Sequence, residues 1–244
     1  MKKSTFLALM AALIATACGS SHQSKMETEE TPAAYKNLPG DSTRYGLACD
    51  GCTDSTLVFL PYTGGDPDTF DIINARHEHR IYGRTHIGDE LAIIVNPQDT
   101  AEVLSVINLE ELRGNWCYLV SPTLRHTDSL PERLQRHALG AIPDSVRQQL
   151  TAPREYQLRL KRDHSVMAIG ATHRHSTDNR SPVSYPKVRP YNEWRIWNGR
   201  LILQQPDTLS KAAPDTADIL LLMRDTLVLR FADHEQSYYK KTKE

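Results

Sequence analysis

The run "NEWRIWNGRLILQQ", Asn192 to Gln205, limits what this chain can fold into more than any other stretch. Asn198–Gly199 lies between two segments in which apolar and polar residues alternate. Asn-Gly is the pair favoured by a two-residue hairpin turn whose central positions both need a left-handed backbone. The segment therefore predicts two antiparallel strands, each with one buried face.

Similar runs follow the same rule on either side. "EYQLRLK", "HSVMAIGA" and "ADILLLMRDTLVLRFAD" alternate, with Tyr156, Leu158 and Leu160 on one face and Leu227, Leu229 and Phe231 on another. Arg162–Asp163 and Arg224–Asp225 occupy turn positions between such runs. Upstream, "STLVFLPY", "DTFDIINA", "HRIYGRTHIG", "DELAIIVNP" and "AEVLSVINL" are short β-rich segments punctuated by Gly, Pro, Asn and Asp. The chain reads as all-β. A small N-terminal β-barrel or sheet is expected over 45–108, and an antiparallel β-barrel over 109–241, each module with its own core. Between the first two strands of the later module, "LPERLQRHALGAIPDSVRQQLTAP" favours helix, and Pro143–Asp144 reads as a helix start. A short helical insertion is expected at about 130–151.

The N-terminus sets the compartment. Lys2 and Lys3 precede the apolar stretch Phe6 to Ile14, too short to span a bilayer, which needs roughly 20 residues. Residues 1–17 therefore read as an export signal. Ala15, Thr16, Ala17 and Cys18 resemble the lipobox of bacterial lipoproteins, with Ala15 where that family usually has Leu. The resemblance implies acylation of Cys18, and Gly19 after it points to the outer membrane. The rest of 18–44 is polar, with Glu27, Glu29 and Glu30 clustered, and reads as a tether without a core of its own. The expected localisation is the cell envelope, with the membrane reached through the N-terminal lipid.

Charge excludes one partner class. Lys plus Arg total 29 against 30 for Asp plus Glu, so there is no basic footprint for nucleic acid.

Cys49 and Cys52 bracket Asp50–Gly51 ahead of the apolar run Leu57 to Leu60. A thioredoxin-like thiol needs a following helix to activate it, and here a β segment follows. Tetrahedral zinc needs two more ligands. Cys117 and the histidines His77, His79 and His86 are available, but there is no second Cys-x-x-Cys. In an oxidising compartment a structural disulfide between Cys49 and Cys52 is the expectation. His77/His79, placed on one face of a possible strand, and His173/His175 have ligand-competent spacing, yet in polar segments they read as solvated. Asp66, Asp68 and Asp71 lack the spacing of a calcium loop and read as turns. No G-x-S-x-G and no His-Glu-x-x-His is present, so neither an enzyme nor a metal or cofactor site is expected.

Gly114–Asn115–Trp116, the meander after it and the final "TLVLRFADHEQSYYKK" together resemble the lipocalin or calycin barrel, and lipocalin-like lipoproteins of Gram-negative bacteria in particular. In that family the tryptophan packs across the closed end of the barrel. The resemblance implies an interior lined by Trp116, Tyr156, Leu158, Trp194, Ile196, Leu203 and Leu229 that holds a small apolar or amphipathic ligand. "GLACDGCTDSTLVFL" is similar to the Cys-x-x-Cys segment of NlpE-type outer-membrane lipoproteins, with Ala48 where that family has Pro. That implies the alternative function, an envelope-sensing or protein-interaction lipoprotein with an envelope protein as partner. A hollow barrel favours the ligand reading. A filled barrel beside an exposed apolar patch between the modules favours the interaction reading.

Overall fold

In a computed structural model of the chain, Asn198 and Gly199 both take left-handed backbone, with φ of 48° and 76°. The strands on either side pair antiparallel from Trp197↔Arg200 outward to Glu193↔Gln204. The turn chemistry has set the register. The structure describes residues 39–124, 143–145, 148, 152–170, 183–206 and 213–241. The expected signal, Cys18 and tether positions 19–38 lie outside them, as do His173, His175 and almost all of the expected helical insertion; Thr43 and Arg44, expected in the tether, already belong to a strand.

The described elements are β1 (Thr43–Ala48), β2 (Thr56–Pro61), β3 (Asp68–Asp71), α1 (Ile73–His77), β4 (Ile81–Tyr82), β5 (Glu90–Val95), β6 (Val103–Asn108) and α2 (Leu109–Leu112). They are followed by β7 (Gly114–Val120), β8 (Thr123–Leu124), β9 (Arg154–Leu160), β10 (Val166–Ile169), β11 (Val183–Ser184), β12 (Glu193–Trp197), β13 (Arg200–Gln204), β14 (Asp215–Leu222), β15 (Thr226–Arg230) and β16 (Glu235–Lys240). The fold is all-β. The first sheet has the order β3-β2-β1-β5-β6-β4 and is antiparallel except where β4 runs parallel to β6. The second has eight antiparallel strands in the order β10-β9-β7-β16-β15-β14-β13-β12. Its outer strands approach through the bridge Ser165↔Glu193, and the backbone bonds Val166 N to Asn192 O (3.1 Å) and Trp194 N to His164 O (2.9 Å) close the sheet to a nearly complete barrel.

Two expected strands are shorter than their composition suggests. "DTFDIINA" is a strand only to Asp71, whose side chain accepts a 2.7 Å bond from Ile73 N–H and turns the chain into α1. His77 therefore ends a helix, and His79 takes a φ of 57° in the turn after it. They do not share a strand face. "HRIYGRTHIG" pairs only at Ile81 and Tyr82. Gly83 (φ 86°) ends that strand so close to β6 that a Cβ there would lie 2.8 Å from the Asn108 Cβ.

Two core clusters hold the sheets. One lies within the first sheet, around Leu57, Phe59, Phe70, Leu91 and Ile93. The other fills the barrel, but it also draws in Tyr45, Ala92 and Ile107 of the first sheet and Leu109 and Leu112 of α2. The separate cores expected for the two modules are thus bridged. The joint is also polar: Tyr45 O–H donates to Ile196 O at 2.8 Å, and the buried Arg113 guanidinium pairs with Glu90 and Glu110.

Candidate functional site

Trp116 is fully buried at the end of the barrel that α2 covers, and its indole N–H donates to Leu112 O at 2.6 Å. The Lys240 ammonium stands 4.9 Å over the ring and donates to Glu111 O at 2.7 Å. A Cβ on Gly114 would collide with this lysine stem, which accounts for the glycine two residues before the tryptophan. Six of the seven expected interior residues, Trp116, Leu158, Trp194, Ile196, Leu203 and Leu229, lie together in one buried cluster. Trp116, Trp194, Leu203 and Leu229 are each 0% exposed. Their side chains pack together inside this part of the barrel, as an eight-stranded interior is just wide enough to allow.

Tyr156, the seventh, is buried in a layer of tyrosines that joins that cluster through Tyr238 and Tyr118. Its ring meets Tyr118 edge-on at 5.7 Å, and Tyr118 meets Tyr238 at 5.1 Å. Burial, with the neighbouring phenols, pushes the Tyr118 and Tyr238 hydroxyls above the ordinary tyrosine pKa. Residues 184–192 form a strap from the β9–β10 side of this end to the start of β14. Pro186 O accepts from Tyr156 O–H at 2.6 Å, and Val188 sits where a Cβ on Gly170 would be. At the far side, Arg189 (2.9 Å) and Tyr191 (2.5 Å) both bond the Asp215 carboxylate.

Cys49 and Cys52 occupy the β1–β2 turn, where Gly51 has a φ of 93°. Both are free, half-buried thiols in this structure. Cys52 Sγ accepts from Val58 N–H at 3.4 Å and lies 3.2 Å from Cys49 O, whereas Cys49 Sγ lies toward Leu47 O. Cys117 is buried on the outward side of β7, beneath Tyr239, Lys241 and Glu155, and burial raises its pKa. Glu155 accepts from Tyr239 O–H (2.7 Å) and Lys241 Nζ (2.8 Å), which hold its carboxyl down at about 2. Among the described residues no three His, Cys, Asp or Glu side chains are placed to share a metal ion. His86 stays with Asp89 at 3.3 Å, away from a second histidine ligand.

A cleft of about 1280 Å³ separates the first sheet from the β14–β15 hairpin. Cys52, Thr53 and Asp54 of the Cys-x-x-Cys turn line one side, with Arg76, His79 and the segment from Ile81 to Thr85. The other side is formed by Leu220 to Asp225. Met223 is 54% exposed at its edge. Arg76 is paired with Asp54 at 3.1 Å, while Arg84 and Arg224 are exposed and have no acidic partner among the described residues. The sequence marked Arg224–Asp225 only as a turn and gave Arg84 no role. The two walls come from segments about 140 positions apart, so no local pattern joins them.

Comparison of the chain with known protein families, curated proteins and solved structures finds no match.

Proposed function

We propose that this chain is a non-catalytic envelope lipoprotein, anchored through Cys18, that binds a partner protein along the cleft between its two sheets. The observation that carries this reading is the contrast between the two candidate sites. The expected ligand-lining residues fill much of the barrel themselves, and the open concave surface lies outside it, with apolar Leu220, Leu221 and Met223 beside unpaired guanidinium groups. Exposed apolar surface rimmed by charge is the usual mark of an interaction site. On this reading the barrel is a lipocalin-like scaffold, supported by the way Gly114 and Trp116 seal its end. The Cys-x-x-Cys turn forms part of the binding surface, and in an oxidising envelope its two thiols close to a disulfide.

A photo-reactive amino acid placed at position 223 of the lipidated chain, in intact cells, tests the proposal. A discrete cross-linked protein from position 223, absent when the probe sits at the exposed barrel residue Ile169, is the expected result. Cross-links to lipid alone would overturn it.

A second reading, a small amphipathic ligand, is favoured by one observation at the other end of the barrel. The hydroxyls of Tyr118 and Tyr238 have no hydrogen-bond partner among the described residues, although Tyr238 is only 7% exposed. Stoichiometric recovery of a small molecule with the purified protein, lost in Tyr238→Phe, would favour it.

A further inference from the structure

Asn198–Gly199 is the one Asn-Gly pair in the chain. Its turn sits on the first sheet: a Cβ added to Gly199 would lie 3.5 Å from Ile94 Cγ1 on β5 and 3.6 Å from Ser105 Oγ on β6. Three hydrogen bonds hold the Asn198 side chain there. Its Oδ1 accepts from both the backbone and the hydroxyl of Ser42, and its Nδ2 donates to Gly40 O. The Asn198 backbone N–H donates to Asp41 Oδ1 as well. These contacts join the hairpin tip to the entrance of β1.

The same dipeptide carries a pair of groups that can react with each other. The side-chain carbonyl carbon of Asn198, Cγ, is an electrophile one residue before a peptide nitrogen. In glycine no Cβ stands beside that nitrogen to block the approach. The strand ladder ends at Trp197↔Arg200, and among the described residues the Gly199 N–H donates to no backbone carbonyl. Asn198 is half-buried, so water reaches it.

We infer that Asn198 is a self-modification site: it deamidates through a cyclic imide formed with Gly199, and the product no longer clamps the hairpin tip to the first sheet. The Gly199 nitrogen attacks Cγ, an N–C bond forms, and the Cγ–Nδ2 bond breaks. The Gly199 amide proton leaves with Nδ2 as ammonia. Water then opens the five-membered imide at either carbonyl. The product is aspartate or, where the main chain now runs through Cγ, isoaspartate; nothing is oxidised or reduced. Ring closure requires Cγ to swing onto the nitrogen, so the bonds that hold the side chain suppress the reaction until the joint opens locally. Afterwards the change is permanent. Aspartate has no N–H to give Gly40 O and places a second negative charge beside Asp41. Isoaspartate lengthens the backbone of a turn whose length sets the hairpin register. A transient opening is thereby fixed as a lasting one.

The test incubates the full chain near neutral pH, folded and in urea, and maps its peptides for the mass gain of deamidation at position 198. Deamidation is expected in both samples, and more slowly in the folded one. Ser42→Ala removes one bond to Oδ1 and should speed the folded reaction by about fivefold, the factor one hydrogen bond is worth. In urea, Gly199→Ala should slow the reaction severalfold, and since that chain is already unfolded the effect reports the chemistry alone. Asn198→Asp installs the aspartate product directly and should lower the urea midpoint at unchanged slope. Wild-type chain aged until it has deamidated should show the same shift. Equal rates in the folded chain and in urea, or with and without the Ser42 hydroxyl, would overturn the inference. So would a folded chain that gains no mass at position 198 while the urea sample reacts, a Gly199→Ala rate equal to wild type in urea, or an Asn198→Asp midpoint equal to that of the wild type.

Discussion

Asn198, at the tip of a barrel hairpin, holds Ser42 at the entrance to the first sheet twice: its Oδ1 accepts from the Ser42 backbone N–H at 2.8 Å and from the Ser42 hydroxyl at 2.7 Å. The same residue donates from its backbone to Asp41 Oδ1 at 3.0 Å and from Nδ2 to Gly40 O at 3.1 Å. A residue chosen for its turn thus also clamps the two sheets together. Replacing Asn198 by Gly keeps the left-handed turn and removes only the side-chain bonds, so it should cost about 1 kcal/mol. Asn198→Ala should cost more, since a Cβ without a local hydrogen bond disfavours positive φ. Urea denaturation of the two variants separates turn from clamp.

The bridged core predicts cooperative unfolding. Trp116 is fully buried in a cluster that includes Tyr45, Ala92 and Ile107 of the first sheet. Trp116→Ala should cost on the order of 3–5 kcal/mol. Calorimetry should show one transition in the wild type, moved as a whole by the mutation. Two transitions, of which only the later-melting or the earlier-melting one moves, would show that the sheets unfold independently.

His164 gives the barrel seam a pH dependence. Its ring is buried, stacks on Trp194 at 4.7 Å, and has a pKa lowered from the ordinary 6.5 chiefly by burial. The unfolded chain then binds a proton that the native one refuses. Stability is complete above pH 6.5 and declines as pH falls through that value toward the lower folded pKa. Because His164 O accepts from Trp194 N–H, the protection factor of the Trp194 amide, the observed exchange rate corrected for its intrinsic pH dependence, should fall below that pH. His164→Phe should flatten the dependence.

Thiol chemistry should separate the cysteines. With reductant present and the chain folded, iodoacetamide should label Cys49 and Cys52, which are half-buried, well before the enclosed Cys117. Glu155→Ala removes the acceptor that holds Tyr239 and Lys241 over that thiol, and Cys117 should then label faster. Mass mapping of the labelled peptides reads both outcomes.

Much of this architecture is legible in the sequence because it is local. Alternation placed Tyr156, Leu158 and Leu160 on one face, and all three are buried; Asn198–Gly199 fixed a hairpin. What escaped depends on single competing bonds or on distance along the chain. Ile72 and Ile73 look like strand residues, yet the Asp71 carboxylate captures the Ile73 N–H and starts a helix. The cleft arises where Gly83 meets Leu222, a pairing invisible to any window of sequence.

The strap over the tyrosine end has a consequence for the concentrated protein. The barrel closes at Ser165↔Glu193, and past that bridge β10 continues with Met167 and Ile169 partly exposed, 43% and 39%. An open, apolar strand of this kind recruits copies of its own chain, edge to edge. Here the neighbouring segment carries Pro186 and Pro190, which have no N–H to extend a ladder. Val188 of the strap lies against Gly170, one residue past β10, so a proline-bearing segment rather than open space meets the end of that edge, where a second molecule would have to start its ladder.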